Sequence, residues 1–397
     1  MKNSLKIPEG WSVKKLGECF TFSAGGDVDK SCFSPVKDNI HIYPIFANAI
    51  TNKGLYGYSS KYKIDKDCIT ITGRGEIGKI FYRDKCFTPI VRLITAIPNK
   101  GVNARFMSYA CCRIHFFNGT TGVPQLTIPQ VQNYSISIPP LPEQEKIAEI
   151  LWTWDKAIEK LSHLIEQKKL LKKGLMQRLL TGKVRLFKTS QGARKNERFS
   201  QPWKEVRLSD ILFEHSQKSS ENEIVCSVSI HKGVVNQIEH LGRSFSAANT
   251  SNYNLVHYGD VIYTKSPTGD FPYGIFKQSQ QKNNVIVSPL YGVFTPKSYA
   301  LGYILDSYFS YPINMNNYLK PIIQKGAKNT INITNKTFLS KSLCLPTDIA
   351  EQQAIADVLT KADEEIDLLN KKLMLFKEQK KGLMQQLLTG NIRVKVN

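Results

Sequence analysis

Gly174-Leu175-Met176-Gln177-Arg178-Leu179-Leu180-Thr181-Gly182 recurs as Gly382-Leu383-Met384-Gln385-Gln386-Leu387-Leu388-Thr389-Gly390. Upstream, Glu143-Gln144 recurs as Glu351-Gln352, and both matches share an offset of 208 (351 − 143 and 390 − 182). A segment of about 40 residues is thus held in register twice. Each copy closes a longer stretch, Trp11 to Pro142 and Trp203 to Ala350, and these two stretches barely resemble each other. Two variable modules tied to one repeated segment point to a protein that reads two different things at a fixed distance.

The repeated segment is a heptad helix. Ile355, Leu359, Ala362, Ile366, Leu369, Leu373, Phe376, Lys380, Leu383 and Leu387 step by four and three, the spacing of a coiled-coil seam with a polar position at Lys380. In the first copy the seam is Ile147, Leu151, Trp154, Ile158, Leu161, Ile165, Lys168, Lys172, Leu175 and Leu179, with two lysines near its later half. About 37 helical residues span roughly 55 Å, longer than a domain diameter. Mutual antiparallel pairing about a pseudo-twofold axis covers both seams most economically. Pro139, Pro140, Pro142 and Pro346 fix the approaches, and Gly182 and Gly390 serve as C-caps. The expected fold class is mixed α+β: two globular modules in tandem pseudo-repeat, each followed by a long helix. The expected boundaries are 1–142 for module one, 143–182 for its helix and 183–200 for a polar, basic linker. Module two is expected at 201–350, its helix at 351–390, and a tail at 391–397.

Bulk properties narrow the function. The 397 residues carry 54 Lys plus Arg against 33 Asp plus Glu, a net charge of +21 that points to a polyanion, nucleic acid first. Hydrophobic residues at 41% exclude a disordered chain. No signal peptide opens the sequence, and no run nears the roughly 18 apolar residues of a membrane span. The eight cysteines form no C-x-x-C pair, which reads as thiols in a reducing cytoplasm rather than disulfides or a zinc site.

In module one, Cys68-Ile69-Thr70-Ile71-Thr72 and Lys79-Ile80-Phe81-Tyr82 read as strands joined by Gly73-Arg74-Gly75-Glu76-Ile77-Gly78. That loop matches G-x-G-x-x-G, but a strand follows where a dinucleotide site needs a helix, so a glycine-rich hairpin is expected. Module two has a counterpart from Val261 to Phe276, with Lys265 standing for Arg74. Candidate DNA contacts are Asn48, Asn52, Lys53, Tyr56, Tyr58 and Lys61, then Arg74 and Lys79, then Thr121, Gln125 and Thr127. In module two they are Lys265, Lys325, Lys328, Asn329 and Asn332. Amides suit adenine edges, Arg and Lys suit guanine or phosphate, and hydroxyls suit phosphate. No phosphate-binding loop, amino-methyltransferase motif or zinc-protease motif occurs, so no catalysis, cofactor or metal is expected.

The pattern resembles the specificity subunit of Type I restriction–modification systems over nearly the whole chain. The resemblance rests on Ile138-Pro139-Pro140-Leu141-Pro142-Glu143-Gln144, on the two Gly-Leu-Met-Gln-x-Leu-Leu-Thr-Gly closings, and on the Trp-x-x-x-x-Leu openings at Trp11–Leu16 and Trp203–Leu208. Tyr56-Gly57-Tyr58, Tyr258-Gly259-Asp260-Val261-Ile262-Tyr263 and Val287-Ser288-Pro289-Leu290-Tyr291 also look like the family's target-recognition domains. Leu345-Pro346-Thr347-Asp348-Ile349-Ala350 departs from the proline-rich form at the second helix. The resemblance implies that each module reads one half of a split, asymmetric site in double-stranded DNA. It further implies that the helices set the gap and dock two adenine methyltransferase subunits, with restriction subunits joining that core. The rival class is a non-catalytic coiled-coil interaction protein whose positive charge is incidental.

Overall fold

The computed structural model describes residues 7–116, 125–187, 197–220, 223–243, 249–325 and 331–396. The chain divides into two compact units, residues 1–163 with 371–397, and residues 164–370. The repeated segments are long helices, Leu141–Leu179 and Ile349–Leu387, each of 39 residues and displaced by the same 208 positions (349 − 141 and 387 − 179). The altered approach at Pro346–Ala350 therefore leaves the second helix starting in register with the first. Gly182 and Gly390 follow the helices with φ of +67° and +72°, the left-handed turn that a glycine adopts without strain.

Within each unit, the first half of one helix runs antiparallel to the second half of the other. In unit one Lys380 pairs with Asp155 at 2.5 Å and Trp154 meets Phe376 edge-on, with ring centroids 5.4 Å apart. In unit two Lys172 pairs with Asp363 and Lys168 with Glu365 at 2.6 Å. The lysines that interrupt the heptad seam are thus buried-side partners of carboxylates on the opposing helix. Asp155 and Asp363 each accept a further hydrogen bond, from Tyr109 at 2.6 Å and from Tyr303. Burial, reinforced by those carboxylates, pushes both phenols well above the ordinary tyrosine range.

The Glu–Gln pair has a structural reason in both copies. Gln144 accepts from the backbone N–H of Asn103 at 2.9 Å and donates to the carbonyls of Gly101 and Pro139. Asn103 caps the helix Ala104–Cys111, so Gln144 welds the long helix to the core helix of its module. Gln352 does the same in unit two, donating to Pro346 and accepting from Ser298, the N-cap of Tyr299–Phe309. Glu143 takes two hydrogen bonds from Arg393, at 2.6 and 2.7 Å, and one from the Trp11 indole at 3.3 Å. Glu351 takes the corresponding bonds from Arg185 and Trp203. Each module's opening tryptophan therefore reaches the start of its own helix, where the arginine past the end of the other helix also docks.

The modules are built on matching sheets. In unit one the order is Phe20–Ala24, Ile94–Pro98, Cys68–Ile71, Ile80–Arg83; in unit two it is Leu212–Glu214, Gly292–Pro296, Val261–Tyr263, Phe276–Gln278. All neighbours are antiparallel. The apolar residues of these strands face a core to which both long helices and the turns that follow them contribute, Ile147, Leu151, Leu387 and Leu388 in unit one. In unit two the contributors are Met176, Leu179, Leu180, Ile355 and Leu359. The second sheets diverge. Both hold a parallel pair, Tyr43–Phe46 with Thr88–Pro89 and Ile224–Ser229 with Val285–Val287, but the fourth strand sits on opposite edges. No described helix is long and apolar enough to cross a membrane.

Candidate nucleic-acid interface

The glycine-rich stretch of module one is a hairpin, with Ile71 paired to Ile80 across the turn, and no helix follows it. Gly73 is required by close approach, since a Cβ there would lie 2.9 Å from the carbonyl oxygen of Leu126. Asn48 ties this hairpin to two other loops. Its Oδ1 accepts from the Gly73 N–H at 2.8 Å and its Nδ2 donates to the Val91 carbonyl. Asn48 itself belongs to the tight loop between Ala47 and Gly54, closed by the Ala47 N–H to Gly54 carbonyl bond at 2.8 Å. Three loops thereby form one cluster, to which Arg74 adds a hydrogen bond to Gln125 at 3.1 Å.

This cluster unites Asn48, Asn52, Lys53, Arg74 and Gln125. The amide of Asn48 is fully engaged in holding the loops, whereas Asn52 and Lys53 are exposed on the same loop in left-handed conformation, φ 49° and 54°. Beneath them Arg83 donates to the Lys53 carbonyl at 2.7 Å and to Thr70 at 3.0 Å, its guanidinium 3.6 Å from the Phe46 ring centre. Burial draws the Arg83 pKa down to about 10. Lys79 is exposed and faces Glu76 at 4.0 Å. Tyr56 is exposed beside Phe33, while Tyr58 is half-buried in the strand Leu55–Ser59. Lys61 is exposed elsewhere in the module, near Asp29, whose carboxyl sits below its usual range mainly because Ser31 donates to it. Thr127 caps the helix Ile128–Gln132 in a reciprocal bond with Gln130. Thr121 lies outside the described residues.

In module two, Lys265 sits at the turn equivalent to Arg74, half-buried and with φ +56°. Burial lowers its pKa, opposed by Glu214. A Cβ on Gly274 would lie 2.8 Å from the Lys265 backbone nitrogen, so the two sides of this loop are in close approach. Lys325 and Asn332 stand on a two-stranded hairpin, Gln324 opposite Asn332 and Lys325 opposite Ile331. Lys328 and Asn329 lie outside the described residues.

Sequence reasoning did not single out Val91 and Arg92, which the structure places in the Asn48 cluster; no composition signal marks a left-handed turn there. Nor did it bring together His215, His257 and Asp260, whose ligand-type atoms lie within 4.8 Å of one another. Asp260 is buried and accepts from both imidazoles, at 3.0 and 3.1 Å, from the His257 N–H and from Thr295. These four donors fix the turn before Val261–Tyr263. Among the described residues this is the one such group of three with the geometry to hold a metal ion.

The two modules share the order of their first sheets, differ in their second sheets and loops, and are each followed by a copy of the same long helix. A family model described as the Type I restriction modification DNA specificity domain matches residues 8–168 and 201–375. The chain belongs to that family. It is 25% identical over 422 residues to a Type I restriction enzyme specificity subunit of Methanocaldococcus jannaschii, covering 99% of this chain and 95% of that one. A type I specificity subunit of Mycoplasma pneumoniae is 34% identical over 137 residues, 34% of this chain. The chain spans about two fifths of the length of that relative, 41%. The crystal structure of the S subunit from M. genitalium shares the fold, with TM-score 0.63, 16% identity and 98% of both chains covered.

Proposed function

We propose that each module reads one half of a split, asymmetric DNA site, that the helices set the gap, and that the chain itself carries out no catalysis. Methylation would come from two adenine methyltransferase subunits docked on the helices, and restriction subunits would join them, in the cytoplasm. One observation supports this above the rest. The contacts of the helices are duplicated residue for residue, Glu143–Arg393 with Glu351–Arg185 and Asp155–Lys380 with Asp363–Lys172, whereas the loops they carry are not. A spacer kept constant beneath two different reading surfaces suits a bipartite target. Two half-sites read from one face of a duplex lie about one helical turn apart.

The loop residues whose chemistry suits DNA and whose side chains are exposed or half-buried, Asn52, Lys53, Tyr56, Arg74 and Lys79 in module one and Lys265 in module two, are the proposed DNA contacts. Binding to duplex DNA should weaken steeply with salt; six phosphate contacts correspond to a log–log slope of roughly −5. A slope near zero would instead favour a coiled-coil interaction protein with incidental charge. The measurement is a salt titration of duplex binding by the chain assembled with its methyltransferase partner.

A further inference from the structure

Among the described residues five non-glycines have positive φ, and four of them lie in the loop cluster held by Asn48: Asn52, Lys53, Val91 and Arg92. Val91 and Arg92, with φ of 50° and 56°, are the two central residues of a tight turn closed by the Leu93 N–H to Ile90 carbonyl bond at 3.1 Å. Two left-handed central residues demand Asn-Gly or Gly-Gly chemistry. A β-branched valine is a genuine outlier there. The turn is nevertheless locked: Val91 N–H bonds to Gly26 and Arg92 N–H to Gly25, at 2.8 and 2.9 Å, and the Val91 carbonyl accepts from Asn48.

Module two shows that the fold does not need this strain. Its turn at the same place, after the parallel strand and before the central one, is Ser288–Tyr291, with Pro289 inside it and no left-handed residue. Strain that is overdetermined by its surroundings and absent from the sister module marks a functional position. The strained turn presents the exposed guanidinium of Arg92, which makes no side-chain hydrogen bond or ion pair among the described residues. The exposed Lys53 stands on the neighbouring loop.

We propose that Arg92 is a specificity-determining residue of module one, reading a guanine edge in the major groove from a rigid, strained turn, with Lys53 beside it on the backbone phosphates. This rests on the DNA-recognition reading above. A guanidinium fork matches the O6 and N7 acceptors of guanine, and preorganising the turn removes the ordering that a flexible arginine would need.

The test uses the full chain assembled with its methyltransferase partner. The native assembly first defines the methylated motif; absence of any split motif would sink the DNA-recognition reading and this inference with it. With the motif in hand, Arg92→Ala should relax one guanine position in one half-site, discrimination there falling roughly 5- to 150-fold. The other half-site and the gap should be untouched. Arg92→Gly, which removes the side chain and relieves the backbone, should relax the same position with a thermal midpoint no lower than that of the native chain. An unchanged motif in Arg92→Ala would overturn the proposal. So would an equal loss of affinity for every sequence with the salt slope reduced by about one, the signature of a phosphate contact. A lowered midpoint in Arg92→Gly with the half-site intact would assign the turn a purely structural role.

Discussion

Arg393, three residues beyond the glycine that ends the second long helix, closes on Glu143, three residues into the first, with both guanidinium–carboxylate bonds under 2.8 Å. The Glu143 carboxylate, accepting both bonds, holds the arginine's charge and raises its pKa further. Arg185 and Glu351 repeat the arrangement. The end of each helix is thereby locked to the start of the other within a unit.

Breaking this lock should destabilise unequally. Glu351 is 1% exposed and its arginine 21%, whereas the arginine facing Glu143 is 43% exposed. Glu351→Ala leaves a largely buried guanidinium without its carboxylate and the Trp203 N–H unpaired, a loss of about 3 kcal/mol. Glu143→Ala should cost about 2 kcal/mol, since water reaches Arg393. Urea unfolding of each variant checks the order, and a larger loss for Glu143→Ala would contradict it.

Lys380 and Asp155 should be energetically coupled. Exchanging them singly, Asp155→Lys or Lys380→Asp, puts like charges in the seam beside Tyr109; the double exchange restores opposite charges. A double-mutant cycle should return a coupling of at least about 1 kcal/mol. A coupling near zero would mean that the pair is incidental to helix packing.

Thiol reactivity should follow burial. Burial pushes the Cys68 thiol up to about 12 and the Cys19 and Cys226 thiols up to about 11, and Cys111 still higher. A raised pKa leaves almost no thiolate below about pH 9, so these four should react with a disulfide reagent only on unfolding. Exposed Cys344 should be modified first at pH 8, as peptide mapping of the labelled chain would show. Rapid labelling of Cys68 in the folded chain would contradict the core described for module one.

The two long helices, their starts and their glycine ends were legible because the repeat keeps 208 residues of register. The seam lysines were visible, but their partners were not: Asp155 and Lys380 are 225 positions apart. Arg185 and Arg393 were assigned to a linker and a tail because the boundary was drawn at the glycines. Their own offset of 208 (393 − 185) carried the signal. The hairpin at Gly73–Gly78 was legible from its flanking β-rich runs. The sheet orders were not, because Phe20–Ala24 finds its partner at Ile94–Pro98, a pairing set by the core rather than by local pattern. Left-handed Val91 and Arg92 contradict local propensity, so nothing in the residues announces them; tertiary hydrogen bonds impose that turn.

The central claim is that the modules read and the helices measure. Adenine methylation should be mapped genome-wide in cells expressing this chain with its methyltransferase partner. The mapping is then repeated with four residues inserted after Leu161 in the first helix. The expected result is a split motif with a fixed gap, present only with the chain. The insertion, about 6 Å of helix, should lengthen that gap by up to about two base pairs and leave both half-sites unchanged. A continuous motif, or an insertion that alters a half-site while the gap stays fixed, would contradict the division between reader and ruler.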